Sequence, residues 1–302
     1  MLFIEKHRNK LYKMGAFVGG ILFAWQIIKA ISSLVGKDSI KFTLSYTLIL
    51  SFLGFILLNL VLALNWKILL GDLGYNLSVL DVVGGYFVSF IPRYIPGSVW
   101  GYLSRSEWLF QDYRVPHSVT HFSSILEVGI YLVTPFFLLG EYLLVGQIIG
   151  VLSIVVAIVS IRLLKFVLNG TRPTLAWLQS IKIMFLSLKR SAWFITIALF
   201  YWILSGNVIT LLGSSLFPQA VDFNKWQLIT LVYAVAWVIG FLAPFIPAGM
   251  GVREVMLVEL LSRFAGLTQY QALILAIVAR IFTLLAEAVW VIFGVVAKST
   301  TK

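Results

Sequence analysis

At 302 residues, 60% hydrophobic and 12% charged, with a mean hydropathy of +0.98, the chain is excluded from the soluble globular class, whose surfaces need more charge. Several runs exceed the roughly 18 apolar residues that mark a transmembrane helix, and no hydrophilic stretch of domain size interrupts them. A net charge of +11 is compatible with nucleic acid, but the basic residues sit beside apolar runs, where they set topology and meet anionic lipid.

Cysteine is absent, which removes disulfide and thiol chemistry. Lys6, Arg8, Lys10 and Lys13 precede an apolar run and superficially resemble a signal peptide, with Ala30-Ile31-Ser32 as a small-residue site. The run is long enough to cross, so 15–34 is read as the first span. The second span is 44–70, with Asn59 and Asn65 inside it. Residues 78–91 are apolar but short for a crossing, and they end in the break Phe90-Ile91-Pro92-Arg93-Tyr94-Ile95-Pro96-Gly97-Ser98. Residues 99–110 then mix Trp100, Trp108 and Phe110 with Arg105 and Glu107, which suits a half-helix or an interfacial helix.

The third span is 118–139, and a turn at Gly140 and Glu141 leads to the fourth, 143–164. A basic connection runs from Arg162 to Arg190, followed by a fifth span at 192–212 and a polar loop at 213–227. A second broken element covers 228–264 around Phe245-Ile246-Pro247-Ala248-Gly249-Met250-Gly251-Val252-Arg253-Glu254. The last span is 270–297.

The halves match in outline: span, span, broken pair, span. Pro96 and Pro247 lie 151 residues apart, and Glu127 and Arg280 lie 153 apart. Three crossings per half force the second copy to run inverted. The predicted fold is an all-α polytopic membrane protein, a single membrane domain over 1–302. It holds two inverted-topology repeats, about 1–140 and 141–302, each with three transmembrane helices and a Pro/Gly-broken re-entrant helix pair. With both termini cytoplasmic, the basic loops fall inside the cell membrane's inner face, as the positive-inside rule requires.

Glycine and proline free backbone groups that must find partners in protein or in a wet cavity at membrane depth. Half-helix N-termini offer unpaired N–H groups to phosphate or carboxylate. Ser98 is a credible N-cap after Pro96-Gly97, and Gly249 and Gly251 allow close backbone approach. Arg93, Arg105 and Arg253 either neutralise a phosphodiester there or, for the first two, snorkel to the interface. Glu254 follows Arg253 at the second break and is read, with Pro96, Gly97, Ser98, Pro247, Gly249 and Gly251, as part of the headgroup path. Glu127 and Arg280 lie inside spans, where a bare charge costs at least about 2.5–3.5 kcal/mol. They are read as lining a polar path and pairing across the pseudo-symmetry axis; the alternative is a purely structural pair. Glu287 shares the helix face of Arg280. His117 and His121 have metal-compatible spacing but lack an evident third ligand, so an interfacial role is preferred. No paired carboxylates, nucleophile constellation or nucleotide motif is present. The expectation is a non-enzyme without cofactor or metal.

The run Pro247-Ala248-Gly249-Met250-Gly251-Val252-Arg253-Glu254 resembles the Pro-Gly-Gly-x-Gly-x-Arg-Glu signature of the lysylphosphatidylglycerol synthase transmembrane-region family, with Ala248 replacing a glycine. This is the flippase-like domain of the bacterial multiple peptide resistance factor, also found as stand-alone proteins. The Pro96-Gly97-Ser98 break, Glu127 and Arg280 also look like family positions. The resemblance implies movement of an anionic lipid between leaflets, without aminoacylation. Because stand-alone members are often associated with glycosyltransferases, it also implies a polyprenyl-phosphate-linked sugar or glycolipid as cargo. Two other readings stand beside this one: a non-transporting accessory subunit docking a membrane glycosyltransferase through the 162–190 connection, and a small-anion carrier.

Overall fold

The computed structural model describes residues 28, 45–95, 100–138, 188–242, 249 and 251–300. In chain order its helices are α1 (Tyr46–Asp72), α2 (Val79–Val88), α3 (Trp100–Tyr113), α4 (His117–Val133), the single turn α5 (Pro135–Leu138), α6 (Leu188–Leu216), α7 (Trp226–Phe241), α8 (Val252–Phe264) and α9 (Gln269–Thr300). Short 3-10 turns cover Ile91–Tyr94 and Phe223–Lys225, and no strand occurs among the described residues. The expected first and fourth spans fall outside them, Ile28 apart, as does most of the basic connection.

Within the described residues, Tyr46–Asp72, Trp193–Leu216 and Gln269–Val296 are long and apolar enough to cross a membrane. At about 1.5 Å per residue, the 27 residues of α1 reach about 40 Å. Ser45 starts that helix, its Oγ accepting from the Leu48 N–H at 3.2 Å. The third span is not the continuous helix expected over 118–139. It stops at Thr134, because Pro135 supplies no N–H and its ring crowds the preceding turn. Thr134 instead joins α6: its Oγ1 donates to the Ile130 carbonyl at 2.8 Å and accepts from Trp202 Nε1 at 3.1 Å. The polar loop expected over 213–227 is shorter, since α6 runs to Leu216. Ser214 and Ser215 stay helical by donating to the Leu211 carbonyl, and Ser215 also reaches Thr47 of α1 at 2.6 Å.

Both broken elements fold as pairs of short helices. Ser78 caps α2, which ends at Ser89 before the Pro92-containing 3-10 turn and α3. In the second pair, α7 stops at Leu242 and α8 begins after Gly251. At φ +67°, Gly249 has a left-handed backbone, and a Cβ there would lie 2.6 Å from the Gly240 carbonyl oxygen. Only glycine meets both conditions.

One core joins α1, α6, α7, α8 and α9 around Trp202; the other joins α1, α2, α3 and α4 around Trp66. Leu50, Leu53 and Leu57 of α1, Phe200 of α6, and Ile292 and Val295 of α9 face outward, where acyl chains belong. Without a hydrophobic drive between helices in lipid, small residues set how closely they approach. Gly206 of α6 lies against Thr230 of α7, and Gly84 of α2 against Gly294 of α9.

A side chain at Gly206 would place its Cβ 1.6 Å from Thr230 Oγ1 and 2.7 Å from Thr230 Cα. Gly206→Val should therefore destabilise by about 1–3 kcal/mol or more, read as a lower melting temperature in detergent. Gly129→Ala meets nothing within 4 Å and should be neutral or stabilising.

Candidate functional site

The breaks matter through what they place at the centre. A cavity of about 170 Å³ lies between the two halves, lined by Arg93, Arg105, Arg253 and Arg280, by Glu127, and by Tyr86, Tyr102, Tyr131, Tyr201 and Trp237. Gly101, Gly240 and Gly249 bring backbone to its wall. At about 10–15 Å³ for each water-sized sphere, such a space holds on the order of ten waters.

Each carboxylate near the cavity is held by a cation and a second donor. Glu127, on α4, accepts from Arg105 Nη1 at 2.6 Å and from the Tyr86 hydroxyl at 2.6 Å. Arg105 is 4% exposed, with its guanidinium over the rings of Trp66 and Tyr86 at 4.5 and 4.1 Å. Glu287, on α9, accepts from Arg93 in the 3-10 turn and from the Tyr94 hydroxyl at 2.6 Å. Glu254 accepts from the Gly251 N–H at 2.6 Å, closing the first turn of α8, and lies 3.6 Å from Arg280 Nε. The fourth cation differs. Arg253 donates to the Tyr233 hydroxyl and lies over that ring at 4.9 Å. Among the described residues it forms no ion pair.

Several expectations change here. Glu127 and Arg280 do line one hollow, but they do not pair with each other. Their carboxylate and guanidinium face nearer partners, Arg105 and Glu254. Arg105 does not snorkel, because burial against two aromatic rings and a carboxylate offers it more than the interface would. Arg93 is likewise committed to Glu287 and the Phe90 ring, at 4.0 Å. The N-terminus of α8 is not an open anion seat, since its own Glu254 covers it. Gly251 and Glu254 stand beside the cavity without lining it. Pro96, Gly97, Ser98 and Pro247 lie outside the described residues. The His117 ring stacks on Phe110 and His121, and its Nδ1 lies 2.8 Å from Ser106 Oγ, away from the cavity.

Tyr86, Tyr94 and Tyr233 are site residues beyond those expected from the sequence. A hydroxyl inside a membrane-grade run must find a partner, so these tyrosines carried a usable signal. Their partners were not legible: Tyr94 and Glu287 are 193 positions apart.

Removing one member of a buried pair leaves an uncompensated charge, typically a loss of about 3–5 kcal/mol, whereas replacing both is often neutral. Arg105→Met should therefore lower the melting temperature sharply, and Arg105→Met/Glu127→Met should recover most of the loss.

The family model for the lysylphosphatidylglycerol synthase TM region matches residues 14–290. No curated protein and no solved structure matches the chain. The matched span contains both broken helix pairs and every residue lining the cavity, and the chain belongs to the lysylphosphatidylglycerol synthase transmembrane-region family.

Proposed function

We propose that this protein is a lipid translocase that passes an anionic headgroup between leaflets through the central cavity while the lipid's chains remain in the bilayer. The observation that carries this reading is Arg253. It is a cation at a cavity wall, held by a phenol instead of a carboxylate, with Gly249 and Gly240 giving backbone access beside it. A guanidinium in that state can take a phosphodiester by two parallel hydrogen bonds without first losing an ion pair. Arg105, Arg93 and Arg280 would then relay the phosphate, each exchanging its carboxylate for lipid. No bond in the lipid is made or broken on this reading, and no cofactor is needed.

The packing supports the inverted-repeat part of the proposal. Exchanging α1–α4 for α6–α9 carries the contacts of α1 with α2 and of α3 with α4 onto those of α6 with α7 and of α8 with α9. The close crossings correspond too. A Cβ on Gly101 would approach the Ser89 carbonyl oxygen at 3.0 Å, and one on Gly240 would approach Arg253 Cβ at 2.8 Å. Such opposed, interrupted helices around a polar centre suit alternating access.

In reconstituted vesicles, the protein should speed transbilayer movement of fluorescent phosphatidylglycerol over empty vesicles. Arg253→Gln should slow it at least about tenfold, the usual weight of a charge-assisted hydrogen bond. Rates equal to empty vesicles for several anionic lipids would overturn the proposal, and co-purification of a glycosyltransferase in that case would favour the accessory reading.

Topology has its own test, helped by a sequence without cysteine. With both termini inside the cell membrane, Arg172→Cys should react with an impermeant maleimide only in opened cells, and Asp222→Cys in intact ones.

A further inference from the structure

Two buried hydroxyls on α4 have no hydrogen-bond partner among the described residues: Thr120 Oγ1 and Ser124 Oγ. Thr120 is fully buried and Ser124 is 3% exposed. Helical serines and threonines ordinarily donate to a carbonyl one turn back, as Ser123 does to Thr120 and Thr134 does to Ile130. These two do not. A buried hydroxyl without a protein partner is the usual site of a bridging water.

Their position gives such waters a direction. At about 100° per residue, His117, Thr120, Ser124 and Glu127 fall within about 80° of arc on α4. They form one stripe about 15 Å long, from the α3–α4 connection to the cavity. His117 is partly exposed at the outer end, bonded to Ser106. Glu127 closes the inner end. The groups facing its carboxylate are Tyr86 from α2, Arg105 and Tyr102 from α3, and Tyr131 from α4 itself; α1 contributes only the uncharged Asn65 and Trp66 to this region.

We propose that this stripe is a proton path and that the protein moves one proton with each lipid anion. The proposal rests on the translocase reading above. When the headgroup phosphate draws the Arg105 guanidinium from Glu127, the carboxylate is left buried without its cation. It then takes one proton, delivered along Thr120 and Ser124 from the His117 end, and becomes a neutral acid that still accepts from Tyr86. When the lipid leaves, Arg105 returns to Glu127, which lines the cavity, and that proton passes into the cavity and leaves with the lipid on the opposite face. One negative headgroup and one proton cross together, so the step carries no net charge.

The test uses phosphatidylcholine–phosphatidylglycerol vesicles containing the full chain, with fluorescent phosphatidylglycerol and an imposed pH gradient. One-for-one coupling across one pH unit should gather label about tenfold on the alkaline side, because the proton ratio sets the lipid ratio at equilibrium. A valinomycin-imposed potential should not change that plateau. Thr120→Val/Ser124→Ala removes only two unpartnered hydroxyls, so it should melt at an unchanged temperature yet approach the plateau at least about tenfold more slowly. Label that moves but stays evenly distributed overturns the coupling and leaves the translocase standing; an unchanged rate in the double variant overturns the hydroxyl route. Should no label move, the translocase reading fails by itself. Calorimetry with dihexanoyl phosphatidylglycerol in detergent then decides the exchange at Glu127. Uptake of about one proton per lipid bound, absent in Glu127→Gln, supports it, and no uptake in the unaltered protein overturns it.

Discussion

A bare charge in hydrocarbon is too costly to persist, and the centre of this fold is the arrangement by which four guanidiniums and three carboxylates avoid that state. Each carboxylate has a cation on one side and a phenol or a backbone N–H on the other. Arg93 and Glu287 come from opposite halves of the chain, so this pairing also clamps α9 to the first broken pair. The desolvation cost of so many ions makes them a poor source of stability. They hold helices in one register, and on the proposed reading they supply cations that exchange partners.

Among the described residues the two signs at this centre are unequal by one, and the surplus falls on Arg253. A lipid phosphate and a protein carboxylate offer a guanidinium the same bidentate geometry. On the proposed reading, an anion entering the cavity competes with Glu127, Glu254 and Glu287 for their cations, while Arg253, held by the Tyr233 hydroxyl, forms no ion pair among the described residues. Glycine makes that place reachable. Where Gly249 turns left-handed against the Gly240 carbonyl, any larger residue would force the two backbones apart.

Much of this was legible from residue types. Proline and glycine at the two breaks marked where helices must stop: α2 and α7 end, and α3 and α8 begin, within a few residues of those marks. Glu127, Arg280 and Glu287 stood out because ionisable groups inside apolar runs require partners. What failed had local physical causes. Pro135 was passed over inside a strongly apolar run, and it ends α4. Glu254 was read as part of a path, although a glutamate three residues after an N-cap position naturally turns back to close the first turn.

Residue order alone settles the class of protein, the positions of the helix breaks, and the presence of ionisable groups inside apolar runs. These follow from hydropathy and backbone sterics, which act over a few residues. Which arginine meets which carboxylate was decided only by the tertiary structure, because partners such as Arg93 and Glu287 are 194 positions apart and the choice among four cations rests on how helices cross. The hydroxyls of Thr120 and Ser124 show the same division. Their spacing on one face of α4 is written in the chain, but their lack of a hydrogen-bond partner among the described residues exists only once α1 and α3 have packed around them.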